Sequence, residues 1–148
     1  MKFLLPLFAF LAVFTFSSCD DDETIVTIDS SQPNNFVAAR SGSLTAQNGT
    51  PTAGTVELGE DDDARTFLRL GNDFTTEQGT GTVTVYLSTS DTFTPSPGTG
   101  NPDLILVGGL NSNGEQFFQI DRDVPASFTH VILWCASANI PFGNARIQ

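Results

Sequence analysis

Histidine occurs once, at His130, tryptophan once, at Trp134, and lysine once, at Lys2, while the cysteines are Cys19 and Cys135 alone. A single histidine rules out an H-E-x-x-H zinc site, and no nucleophile elbow accompanies it, so neither zinc proteolysis nor a serine triad is supported. No C-x-x-C-H is present, so the signature for covalent haem attachment is missing. Cations are also scarce. Six Lys and Arg stand against 17 Asp and Glu, a net charge of −11, which makes nucleic acid an unsuitable partner. No apolar run reaches the ~20 residues of a membrane-spanning helix, and no segment keeps a 3.6-residue apolar period long enough to define a helix.

What is present begins with a leader. Met1-Lys2 precedes an apolar run from Phe3 to Phe16, then Ser17-Ser18-Cys19 and the acidic run Asp20-Asp21-Asp22-Glu23. This order reads as a secretory signal peptide over residues 1–18, outside the fold. Small residues directly before a cysteine are what lipoprotein signal peptidase cuts, which makes Cys19 the lipidated first residue of the mature chain; the alternative is plain secretion with Cys19 left free. Acylation on sulfur and on the amine supplies the two or more chains that stable anchoring requires. The acidic run resembles the tags that send some lipoproteins to the outer cell surface, or else is a solvated spacer. The expected location is the outer membrane, by lipid anchor, with the domain exported and exposed at the cell surface. Removing 18 of 148 residues deletes Lys2 and no acid, leaving 130 residues at −12. That is the size of one domain, and its charge repels anionic head groups, so the lipid and not the protein surface holds the membrane.

Residues 19–40 are expected to form the lipidated cysteine, an acidic tether and a linker, with a tether or short leading strand over 24–41. From Ser41 onward short β-rich runs are punctuated by Gly, Asn, Asp and Pro. Strands are expected over Ser43–Ala46, Gly54–Leu58, Thr66–Leu70, Thr82–Ser88, Leu104–Val107, Gln116–Ile120, Thr129–Cys135 and Ala145–Ile147. Alternation places Val83, Val85 and Leu87 on one face, whereas Val131-Ile132-Leu133-Trp134 is continuously apolar and marks a central strand buried on both sides. Asn113-Gly114 supplies a hairpin turn before Gln116. The fold class is all-β, a single antiparallel β-sandwich domain in preference to a small β-barrel.

Gly108-Gly109-Leu110, Asn113-Gly114-Glu115-Gln116-Phe117, Val131-Ile132-Leu133-Trp134-Cys135 and Phe142-Gly143-Asn144-Ala145 follow one another in an order and spacing that resemble the closing half of the electron transfer DM-thirteen (DM13) domain. Ser41-Gly42-Ser43-Leu44, Gly54-Thr55-Val56 and Phe67-Leu68-Arg69-Leu70 fit its opening half, so residues 41–148 are similar to that β-rich extracellular module. The resemblance implies a role in electron transfer centred on the family's cysteine, acting as a bare thiol or as a ligand for a group such as haem. Only Cys135 carries that implication here.

A thiolate is a soft ligand and a thiol-exchange centre if its pKa is lowered and its sulfur reachable. Free cysteine is also among the most buried residue types and serves as a small hydrophobe, so Cys135 is either a redox or cofactor-binding thiol or an inert core residue. Trp134 beside it either stacks on a cofactor or packs. In a regular strand His130, Ile132 and Trp134 face one way and Val131, Leu133 and Cys135 the other, which disfavours a His130–Cys135 pair. The turn Glu60-Asp61-Asp62-Asp63 lacks the spacing and glycine of a calcium loop and reads as solvated, so no metal site is expected. Two functions remain open: a lipoprotein of an electron-transfer or thiol-redox system working with an unidentified protein partner, and a non-catalytic adhesion or binding module using loops such as Asp91 to Asn101.

Overall fold

A computed structural model describes residues 32–94 and 100–148. Among the described residues the regular elements are nine strands: β1 (Val37–Ser43), β2 (Thr45–Ala46), β3 (Thr55–Glu60), β4 (Thr66–Leu70), β5 (Val83–Ser88), β6 (Leu104–Gly109), β7 (Gln116–Ile120), β8 (His130–Cys135) and β9 (Ile140–Arg146). They form two antiparallel sheets, one ordered β1-β3-β4-β7 and the other β2-β9-β8-β5-β6. The expected sandwich is what the chain builds, not the closed barrel held as its alternative. The leader, Cys19 and the acidic run lie outside the described residues, as do residues 95–99 of the Pro-rich loop.

The core sits between the sheets and is made by alternation. Val56 and Leu58 of β3, Leu68 and Leu70 of β4, Val83, Val85 and Leu87 of β5, and Val131, Leu133 and Cys135 of β8 all belong to one buried apolar cluster. Inward residues of two facing sheets interdigitate in this way in any aligned sandwich. β8 lies between β5 and β9, the central position expected for it. Its outward residue Ile132 is buried as well, while Trp134 keeps partial exposure. On the outer face of the other sheet Phe67 is buried beneath Phe117, whose ring also meets Phe36, and Arg65 lies over the Phe67 ring.

Three expectations are corrected. The Asn113-Gly114 turn does not close a hairpin, because β6 pairs with β5 whereas β7 pairs with β4, so the chain changes sheets there. Gly114 supplies the positive φ of 87° that the crossing needs, and Asn113 Oδ1 accepts from the Thr76 amide. The expected strand Ser43–Ala46 is interrupted at buried Leu44, where the chain passes from β1 in one sheet to β2 in the other. Finally, the last strand begins at Ile140 and not at the expected Ala145, while the first, Val37–Ser43, starts inside the segment read as a tether or short leading strand.

Candidate functional site

Cys135 is the last residue of β8, and its Cα partners are Val83 on β5 and Ile140 on β9. Strand alternation turns its side chain inward, and its sulfur has no exposed surface. The chain then reverses through Ala136–Asn139 into β9. Asn139 takes a positive φ of 56° and its amide donates to the Cys135 carbonyl at 2.9 Å, while the Ala136 amide donates to the Thr82 carbonyl at 3.2 Å. This turn brings Ser137 back over the sulfur.

The thiol therefore lies at a seam, with core on one side and hydroxyls on the other. Ser137 Oγ is 3.4 Å from Cys135 Sγ and Thr82 Oγ1 is 3.6 Å away. Thr82 Oγ1 donates to Ser137 Oγ at 2.7 Å and accepts from the Ser137 amide at 3.1 Å. With its oxygen already accepting, the Ser137 hydroxyl is free to point its own proton at the sulfur. Thr80 Oγ1 is sealed from solvent without a conventional hydrogen-bond partner and adds a further hydroxyl beside the thiolate. Burial pushes the Cys135 pKa up, but Ser137, Thr80, Thr82 and the Ala138 backbone amide together outweigh it and bring the thiol down to about 6. Hydrogen bonds to the charged form favour that form. The same burial without these donors would leave an inert, protonated thiol.

The neighbouring side chains face away. Trp134 projects from the opposite face of β8 and stacks on Phe93 with ring centroids 4.2 Å apart, and Phe93 meets Tyr86 edge-on at 4.9 Å. His130 shares that outer face, where its Nδ1 is paired with Thr129 Oγ1 at 2.9 Å. Neither Trp134 nor His130 is brought to the sulfur. Thr80, Thr82, Ser137 and Phe93 were not singled out from sequence. Ser137 lies two residues after the cysteine and was within reach of inspection. Thr82 comes 53 residues earlier and meets the sulfur only through the pairing of Val83 with Cys135.

The family model described as electron transfer DM13 matches residues 43–147, from the end of β1 to the residue after β9. The chain belongs to this family. Membership ties it to electron-transfer function. No curated protein and no solved structure matches the chain.

In this DM13 domain the residues around Cys135 do not fit a haem. A haem needs a broad apolar slot open to the axial ligand, whereas this sulfur is closed in by the Thr80, Thr82 and Ser137 hydroxyls on one side and by the packed core on the other. The acidic turn is also committed. Asp61 is only 7% exposed; its Oδ2 accepts from Arg65 Nη2 at 2.6 Å and from the Asn34 amide at 3.1 Å, and its Oδ1 from the amides of Asp63 and Arg65. The solvated reading therefore fails at Asp61, which clasps the chain ahead of β1. Burial raises its pKa, but the backbone and side-chain hydrogen bonds from Arg65 and the amide of Asn34 prevail and hold it at about 2.

Proposed function

We propose that this DM13 protein is a membrane-anchored extracytoplasmic lipoprotein whose domain carries a thiol redox centre at Cys135. The observation behind the redox centre is the trio of hydroxyls gathered on a buried sulfur. A cysteine that merely fills a core has no use for Ser137, Thr82 and Thr80 around it, and desolvation alone would keep it protonated. With a pKa of about 6, roughly nine-tenths of the thiol is thiolate at pH 7, against a few per cent for an ordinary cysteine. The anchor is supported by the leader, the small residues before Cys19 and the acidic run that follows.

Two measurements test the proposal. Alkylation of the full-length chain carrying Cys19→Ser, followed across pH by intact mass, is expected to titrate near pH 6; a midpoint at or above 8 would remove the redox centre. Detergent-phase partition of the wild-type protein, lost in Cys19→Ser, tests the anchor, and equal partition of both would refute it. The second reading, a non-catalytic adhesion or binding module, is favoured by the complete burial of Cys135. It predicts that Cys135→Ala costs packing alone and that protein binding maps to the loop from Asp91 to Asn101.

A further inference from the structure

Cys135 Sγ has no exposed surface and faces the core, so a protein docked on the closed domain cannot touch it. Disulfide exchange requires one sulfur to attack another directly. Transfer of a single electron requires only proximity. One peptide bond away, Trp134 reaches the opposite face of the sheet, is partly exposed, and heads an aromatic row with Phe93 and Tyr86. Tyr86 is paired with Leu106 on edge strand β6, and Leu106 is 62% exposed. The outer side of the sheet thus offers an aromatic and aliphatic patch behind the buried thiol.

We infer that Trp134, supported by Phe93 and Tyr86, is the relay through which Cys135 exchanges single electrons with a partner that never reaches the sulfur. This relay presupposes the redox thiol proposed above. The partner is a one-electron acceptor of outer-sphere type, and the chain's excess of acidic groups suits a cationic one. The acceptor takes one electron from the indole of Trp134 and leaves its radical cation. The Cys135 thiolate, the more easily oxidised group, then returns one electron to the indole and becomes a thiyl radical. No bond between heavy atoms forms or breaks and no proton moves; sulfur is oxidised by one electron and the acceptor reduced by one. A one-electron donor runs the same steps backward. If the stack served packing alone, electron transfer from the sulfur would be indifferent to it.

The chain's one tryptophan gives an unambiguous signal. In the full-length chain carrying Cys19→Ser, photogenerated tris(bipyridine)ruthenium(III) serves as the cationic oxidant, and transient absorption follows the tryptophan radical. The radical is expected to decay quickly as thiyl appears, to live severalfold longer in Cys135→Ser and in Cys135→Ala, and to vanish in Trp134→Leu, where thiyl formation slows severalfold. An unchanged radical lifetime in whichever cysteine variant is folded, or wild-type thiyl formation in Trp134→Leu, would overturn the relay. The alkylation profile with Trp134 intact, set beside that of Trp134→Leu, separates the two readings. A preserved thiolate with no dependence on Trp134 defeats the relay alone, whereas a thiol that titrates at the ordinary value defeats the redox centre itself.

Discussion

Replacing Ser137 by alanine tests the hydroxyl cage with the least disturbance elsewhere, because Ser137 is an exposed turn residue. The change removes the hydroxyl 3.4 Å from Cys135 Sγ and the oxygen that accepts from Thr82 Oγ1. A hydrogen bond to a charged group contributes ~1.5–3 kcal/mol net, which at 1.36 kcal/mol per unit corresponds to roughly one to two pKa units. The low end applies, since the contact to sulfur is long and Thr82, freed from Ser137, can turn its own proton toward the thiolate from 3.6 Å. The thiol should therefore move from about 6 to roughly 7, and its thiolate fraction at pH 7 should fall from roughly nine-tenths to about one half. The pH profile of alkylation reads this directly. Reaction at a sealed sulfur passes through a rare opened form, yet the molecules that open are drawn from the closed population, so the midpoint still reports the closed-state pKa. A profile unmoved by Ser137→Ala would show that the hydroxyls do not hold the anion, and with it the redox reading would lose its physical basis.

Linkage gives the thiol a second signature. Its folded pKa is below its unfolded one, so its contribution to stability is fully present above the unfolded value near 8.5 and is lost as pH falls through about 6. Urea unfolding of wild type against Cys135→Ala should show a gap that widens in favour of wild type between pH 6 and 9, and a constant gap would contradict this. Asp61 has the same sign at lower pH. Its stabilisation is present above the ordinary carboxylate value and disappears as pH falls toward 2, so Asp61→Asn should be less stable than wild type at pH 6 and equal to it near pH 2, as acid-titrated circular dichroism would reveal. In Gly59→Ala the new Cβ would run into the Val37 carbonyl oxygen and sit 2.8 Å from Ala38 Cα, where Ala38 of β1 pairs with Gly59 of β3 beside a register shift. Overpacking of this kind costs ~1–3 kcal/mol. Faster proteolytic cutting within residues 32–43 is expected, and resistance equal to wild type would show that β1 gives way without cost.

Local pattern carried much of this fold. β4 and β7 fall on the expected residues, and the inward face of β5 is the expected Val83, Val85 and Leu87, because alternation within a short run needs no knowledge of partners. What failed was partner choice. Asn113-Gly114 announces a reversal, but nothing in the dipeptide says whether the next strand returns to β6 or crosses to β4. The start of β9 was hidden for a different reason. Ile140-Pro141-Phe142-Gly143 contains the two residues that weaken strand assignments, and Pro141 is tolerated beside the irregularity where Leu133 pairs with Gly143 and Trp134 with Pro141. β1 lacks an apolar alternation altogether and is held by backbone pairing to β3 along a largely exposed edge. At the site, Cys135 was legible as a residue while its pKa was not, since Thr80 and Thr82 meet it only across the β5–β8 register.

That register also explains why sulfur and indole can share one function while never touching. In a strand, neighbouring side chains are sent to opposite faces, so a cysteine at the end of β8 enters the core only if the residue before it leaves. Shifting the cysteine by one place would expose the sulfur on the outer face, where water would replace the hydroxyls and exchange with any external thiol would follow. Keeping it at position 135 seals it, and desolvation then works against the thiolate. The hydroxyls must overcome that penalty from the one side where the strand has ended and the chain can fold back. This is why the donors come from the turn after β8 and from the segment entering β5, and why no donor comes from the sheet itself. The position that protects the thiolate thus also sends the adjacent Trp134 to the partly exposed outer face, where a partner that cannot reach the sulfur can reach the indole.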